Sequence, residues 1–178
     1  TTAVIPGGVQ LFYADNMRFE RNTFQHMGGS GLVFDVAAHN GNVIGNLVRD
    51  ISASGIVIGQ NFNGFDSTKT TKNMTVKNNY ITKVAQDYYS NVAIFAAYTD
   101  SCIFEHNEMT DMPKEGMSVG WGWANVPNTE KNNMMRYNTI WNVCNLLDDC
   151  AGIYTLSDSP GTTIDSNYIH DIVRSPWQ

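Results

Sequence analysis

The sequence predicts an all-β chain wound into a right-handed parallel β-helix of about six coils with an Asn ladder. Two observations carry that reading. First, one pattern recurs six times: an Asn with apolar residues three before it, two after it and five after it. The copies centre on Asn22, Asn46, Asn79, Asn107, Asn138 and Asn167, at intervals of 24, 33, 28, 31 and 29 residues. Second, most copies are followed, after a turn of small residues, by another apolar run: Gly31–Phe34, Gly55–Ile58, Val92–Phe95, Gly116–Val119 and Gly152–Thr155. Each repeat thus supplies two or three short strands with one apolar side, and none can bury that side alone. Stacking one coil on the next buries it and pairs the strands in parallel, with the Asn amides hydrogen-bonding along the stack at a turn.

The six coils account for residues 1–178 as a single domain, expected to be part of a longer β-helix. Residues 1–28 hold the first coil behind the Pro6-Gly7-Gly8 turn. So short a lead is little of a cap over an open strand edge, so a longer parent chain and a processed or trimmed start at Thr1 are expected. Coil two (29–52) carries Asp35 and His39, either a charge pair near a cleft or, as favoured, a polar turn. Coil three (53–87) contains a polar excursion, QNFNGFDSTKTTKN, whose bulky groups are Phe62 and Phe65. Long excursions at one position of a solenoid tend to carry binding surfaces. In coil four (88–114), Glu105 and His106 fall where strand alternation places solvent-facing residues. Asp111 shares its offset with His26, Asp50, Lys83, Asn142 and Asp171, a polar turn position common to all coils, and His170 is read in the same way.

The last two coils hold the candidate site. Coil five (115–147) runs into Gly-Trp-Gly-Trp, with Trp121 and Trp123 just past a strand. Glycine lets that backbone bend, and an indole face suits the C–H face of a sugar; stacking over an adjacent coil is the other reading, and both stay open. Coil six (148–178) begins with Asp148 and Asp149 and continues through Tyr154 and Asp158. By strand alternation one of the two adjacent acids turns inward, and partial burial near other carboxylates would suit it to general acid chemistry; a solvated turn is the alternative.

Composition narrows the partners. Eleven basic against seventeen acidic residues give a net charge of −6, which argues against nucleic acid or an anionic membrane surface. No apolar run approaches the roughly 18 residues of a membrane span. The three cysteines show no metal-binding spacing; Cys144 and Cys150 could pair, but small buried residues in the stack are the favoured reading. The four histidines are scattered, so no metal site and no cofactor are expected.

GMSVGWGW (116–123) followed by DDCAGIYTLSDSPGTTIDSNYIHDI (148–172) resembles the bacterial right-handed β-helix sequences grouped as glycoside hydrolase family 141 and its relatives. The match covers roughly the last third of the chain. The resemblance implies a secreted or periplasmic hydrolase of plant cell-wall-type polysaccharide, with fucosidase- or xylanase-like activity. It places Asp149 at the catalytic acid and Trp121, Trp123 and Tyr154 on the aromatic positions of the pattern, where they would bind sugar; Asp148 beside the acid and Asp158 further along coil six stand as additional catalytic and sugar-binding candidates. Two departures stand out: Cys150-Ala151-Gly152 replaces a glycine run, and the second acidic motif of the pattern would fall beyond Gln178. The competing readings are a non-catalytic carbohydrate-binding or scaffold β-helix and a polysaccharide lyase. The lyase ranks lowest because no Lys or Arg adjoins Asp148-Asp149 in the sequence.

Overall fold

The computed structural model describes residues 5–59 and 64–172. Among them eighteen strands form three six-stranded, wholly parallel sheets. Sheet 1 contains β1 (Gly7–Leu11), β4 (Ser30–Phe34), β7 (Ile56–Gly59), β10 (Ile94–Ala97), β13 (Met117–Val119) and β16 (Ile153–Thr155). Sheet 2 contains β2 (Arg18–Glu20), β5 (Asn42–Ile44), β8 (Thr75–Lys77), β11 (Ile103–Glu105), β14 (Met134–Arg136) and β17 (Thr163–Asp165). Sheet 3 contains β3 (Thr23–Met27), β6 (Leu47–Ile51), β9 (Tyr80–Thr82), β12 (Glu108–Thr110), β15 (Thr139–Val143) and β18 (Tyr168–Ile172). Each strand pairs with its equivalent one coil on, which makes the molecule a right-handed parallel β-helix of six coils.

The repeat pattern sets the register. Residues three before each Asn form one inward column on sheet 2, Phe19-Val43-Val76-Phe104-Met135-Ile164. Those two after it form another on sheet 3, Phe24-Val48-Ile81-Met109-Ile140-Ile169. Leu32, Ile56, Ile94 and Met117 close the core from sheet 1, each with no exposed surface. Glycine immediately precedes β7, β13 and β16 of sheet 1 because the corner has no room. A Cβ on Gly116 would lie 2.5 Å from Ile140 Cγ2, and one on Gly152 equally close to Ile169 Cγ2.

The Asn ladder is continuous from Asn22 to Asn167. Each side-chain oxygen from Asn46 onward accepts both the backbone N–H and the Nδ2–H of the preceding Asn, at 2.9–3.1 Å. The other Nδ2 hydrogen donates to a carbonyl of the preceding coil, as from Asn107 to Val76 O at 2.9 Å. The shared polar offset is a left-handed corner: His26, Asp50, Lys83, Asp111, Asn142 and Asp171 all have φ between 49° and 58°. Asn, Asp and His tolerate that conformation best, so the polar column answers a backbone demand.

Several local expectations are corrected. Cys144 and Cys150 form a disulfide, while Cys102 is a buried free thiol that burial pushes up to about 12. The bond closes a short loop, and the double variant Cys144→Ser/Cys150→Ser is expected to lose about 2 kcal/mol in urea unfolding. Glu105 is buried rather than solvent-facing, gripped by Lys77 at 2.7 Å and Arg136 at 2.8 Å. Those two cations hold its carboxyl below the usual range. In keeping with the favoured reading, Asp35 and His39 do not pair with each other: Asp35 accepts from Gln10 Nε2 at 2.8 Å, and His39 Nε2 lies 3.1 Å from Thr70 O. His170 lies outside the left-handed column, in β18, with its ring parallel to Trp141. Phe65 is exposed, and Phe62 lies outside the described residues.

Candidate active site

Pairing of β13 with β16 places Ser118 opposite Tyr154, and so brings the two C-terminal motifs together. Lys114 and Glu115 precede β13, and Trp121 and Trp123 follow it. Asp149 precedes β16, and Leu156 follows it. These residues, with Ser118 and Tyr154, line a pocket of about 80 Å3. Trp123 also walls a neighbouring groove of about 530 Å3, formed by residues 122–125 and 155–160 and including Asp158.

Two carboxylates meet here in unlike surroundings. The Glu115 side chain is 3% exposed; its Oε1 takes Lys114 Nζ at 2.9 Å, and its Oε2 has no hydrogen-bond partner. Burial raises its pKa above the ordinary glutamate value. Lys114 partly offsets that rise, and the charge of Asp149 adds to it. Asp149 is exposed and sits at a left-handed φ of 51°. Its Oδ1 accepts the Tyr154 hydroxyl at 2.9 Å, which pushes the phenol pKa upward. Lys114 Nζ lies 5.8 Å from the Tyr154 ring centre, so a cation, a phenol, a neutral-leaning acid and an exposed carboxylate share one pocket. A buried acid of raised pKa beside an exposed carboxylate is an arrangement that acid–base chemistry can use.

The tryptophans divide their work. Trp121 packs edge-on against Phe95 of the preceding coil, with ring centres 5.6 Å apart, which is the stacking reading. Trp123 touches Trp121 and remains 75% exposed, so its indole is available to a ligand. Gly120 and Gly122 have φ of +108° and +106°, a backbone that places the two indoles on one side of the strand end.

Beneath the groove lies Glu130, 1% exposed. Ser159 Oγ donates to its Oε1 at 3.3 Å, and Oε2 has no hydrogen-bond partner. Burial raises its pKa from 4.5 to about 7, against the opposing pull of Ser159 and the amides of Tyr98 and Trp121. The folded state therefore holds a proton that the unfolded chain releases near pH 4.5. Its stability falls as pH rises between those values and stays reduced above them, by ~3 kcal/mol. Glu130→Gln is expected to remove this loss: thermal melts from pH 4.5 to 8 should show the wild type falling relative to the variant.

Of the predicted residues, the fold brings Asp149, Trp121, Trp123 and Tyr154 into one pocket and sets Asp158 in the adjoining groove. Asp148 is exposed and lines neither, and Asp149 is exposed as well, so neither acid turns inward. Sequence reasoning passed over Glu115, Lys114 and Glu130. Each acid had a signal. Glu115 aligns with Ser30, Ser54, Val92 and Ala151, and Glu130 with Ala38, Thr71 and Thr99, so each is a lone charge in a column of small or apolar residues.

No family model and no curated protein matches the sequence. A solved structure described as "Glycoside hydrolase" aligns with 96% of this chain at 30% sequence identity and a TM-score of 0.92. The chain spans 30% of the length of that structure's chain. In fold this chain is thus similar, coil for coil, to a stretch of a solved glycoside hydrolase.

Proposed function

We propose that this chain carries the catalytic cleft of a glycoside hydrolase acting on plant cell-wall-type polysaccharide, with xylan and fucosylated polymers as the first substrates to test. The observation behind this reading is the pairing, in one aromatic-walled pocket, of a buried Glu115 of raised pKa with the exposed Asp149. Likeness to a solved glycoside hydrolase supports it.

In this scheme the Glu115 carboxyl donates its proton to the glycosidic oxygen as the bond from that oxygen to the anomeric carbon breaks. The leaving sugar departs as an alcohol. Asp149, held by Tyr154, acts on the positive anomeric carbon as nucleophile or as base on water; the anomer of the product distinguishes the two. Trp123 and the groove containing Asp158 hold the sugars flanking the bond. The Cys144–Cys150 disulfide supports a secreted or periplasmic setting, and the net charge of −6 disfavours nucleic acid and anionic membranes as partners. The test is reducing-end release from xylan and fucosylated xyloglucan, by wild type and by Asp149→Asn. Loss in the variant with unchanged thermal stability supports the reading. Sugar binding through Trp123 with no turnover in either protein would leave a binding module.

One observation favours a second reading. Lys114, distant from Asp149 in sequence, stands in the pocket near Tyr154, as a lyase acting on uronates would need. Its Nζ already donates to Glu115 Oε1 at 2.9 Å, which counts against that role. Ultraviolet absorbance of an unsaturated product from a uronate polymer would overturn the hydrolase reading.

A further inference from the structure

A groove of about 870 Å3 runs over the outer face of sheet 3, on a different sheet from the Glu115–Asp149 pocket. Leu47 and Tyr80 form one side, and Tyr80 is 39% exposed. Arg49 and Thr82 lie between them and the far side, which is the left-handed corner column. That column runs from His26, bonded to Asp50, to Lys83 and then Asp111, so carboxylate and ammonium alternate from Asp50 onward; Asp111 also accepts the Thr82 hydroxyl at 3.2 Å.

Further along the face the aromatic side continues. Tyr80, Glu108, Thr139 and Tyr168 form one column, so Tyr80 and Tyr168 stand three strand spacings apart, roughly 14 Å. Trp141, one column over, donates Nε1–H to Glu108 Oε1 at 3.2 Å and lies parallel to His170. Tyr168 is 65% exposed.

The occupant follows from this chemistry. A polyanion or nucleic acid needs a basic track, and here Asp50 and Asp111 interrupt the cations. A protein partner would seek a desolvated apolar centre, whereas this groove is floored by Arg49 and Thr82. Aromatic faces set beside a line of alternating donors and acceptors suit a chain of hydroxyl-bearing rings, whose C–H faces stack while adjacent hydroxyls bridge carboxylate and ammonium. The pitch of the coils and the rise of a sugar chain are of the same order, so successive rings would meet successive coils.

We propose that the outer face of sheet 3 is a second polysaccharide-binding surface, which holds a neutral glycan chain along the helix axis, away from the cleft. The proposal rests on the reading of the protein as one that acts on polysaccharide. It is tested by affinity electrophoresis through gels containing neutral xylan or xyloglucan, with the wild type, Asp149→Asn and the double variant Arg49→Ala/Tyr80→Ala. Both altered side chains are outside the core, and a thermal melt checks the fold. Retardation of the wild type and Asp149→Asn, weakened about ten-fold in the double variant, is expected. Cleavage of a short soluble oligosaccharide should be unchanged in the double variant. Equal retardation of all three proteins, or none of the wild type, overturns the surface and leaves the hydrolase reading standing if the oligosaccharide is still cleaved. Retardation that depends on Arg49 and Tyr80 without any cleavage sustains the surface and overturns the hydrolase.

Discussion

Replacing Asn107 by Ala is expected to destabilise the protein by ~4 kcal/mol. Asn107 is 1% exposed and occupies the middle of the ladder. Its oxygen takes the N–H and Nδ2–H of Asn79, and its Nδ2 donates to Val76 O and Asn138 Oδ1. Alanine would strand two donors of Asn79 where water cannot reach them. Each such orphan costs about 1–3 kcal/mol, whereas the bonds themselves contribute less. Asn22, exposed and bonded through its amide to Asn46 alone, provides the contrast. Asn22→Ala should cost about 1 kcal/mol in the same urea titration. Equal losses at the two positions would mean that the ladder is not what holds the coils in register.

The second large effect concerns turnover. Glu115→Gln is expected to lower hydrolysis of a natural polysaccharide by about a hundred- to ten-thousand-fold, the usual contribution of a positioned acid. An acid must be protonated to act, so wild-type activity should fall as pH rises through the Glu115 pKa. Burial has raised that pKa above 4.5, so the alkaline limb should lie higher than an exposed glutamate would place it. The limb should disappear in Glu115→Gln. An aryl glycoside with a good leaving group needs little protonation, so Glu115→Gln should retain most of its activity there. Asp149→Asn should lose both substrates, because the second carboxylate is needed whatever leaves. Similar losses for the two variants on both substrates would reject this division of roles.

The coil count, the register and the ladder could be read from the sequence because a repeat displays the same physical demand six times. Ile81 and Ile140 are interchangeable answers to one corner of the core, and comparing them reveals that corner. The site is the opposite case. Glu115 and Asp149 lie on successive coils, and what joins them is the pairing of β13 with β16. Attention to motifs found Asp149, Trp121, Trp123 and Tyr154, which sit in conspicuous glycine-rich surroundings. It missed Glu115 and Glu130, which are conspicuous only against the small residues stacked above and below them. The disulfide was hidden for another reason: Cys144 and Cys150 occupy one local loop, Cys144 in the left-handed region, and six residues of sequence do not reveal which way such a loop folds.

The stack also acts as a ruler. Its loops vary, so that successive ladder residues are 24 to 33 positions apart, yet each coil rises by one strand spacing of about 4.8 Å. Residues that share a register column, such as Tyr80 and Tyr168 three rungs apart, are therefore spaced in whole steps. Groups in different columns, such as Glu115 and Asp149, are set apart further by their offset along the strand and by the length and tilt of their side chains. A loop can grow or shrink without changing the graduations, which leaves the surface free to vary while the spacing of reacting groups stays fixed.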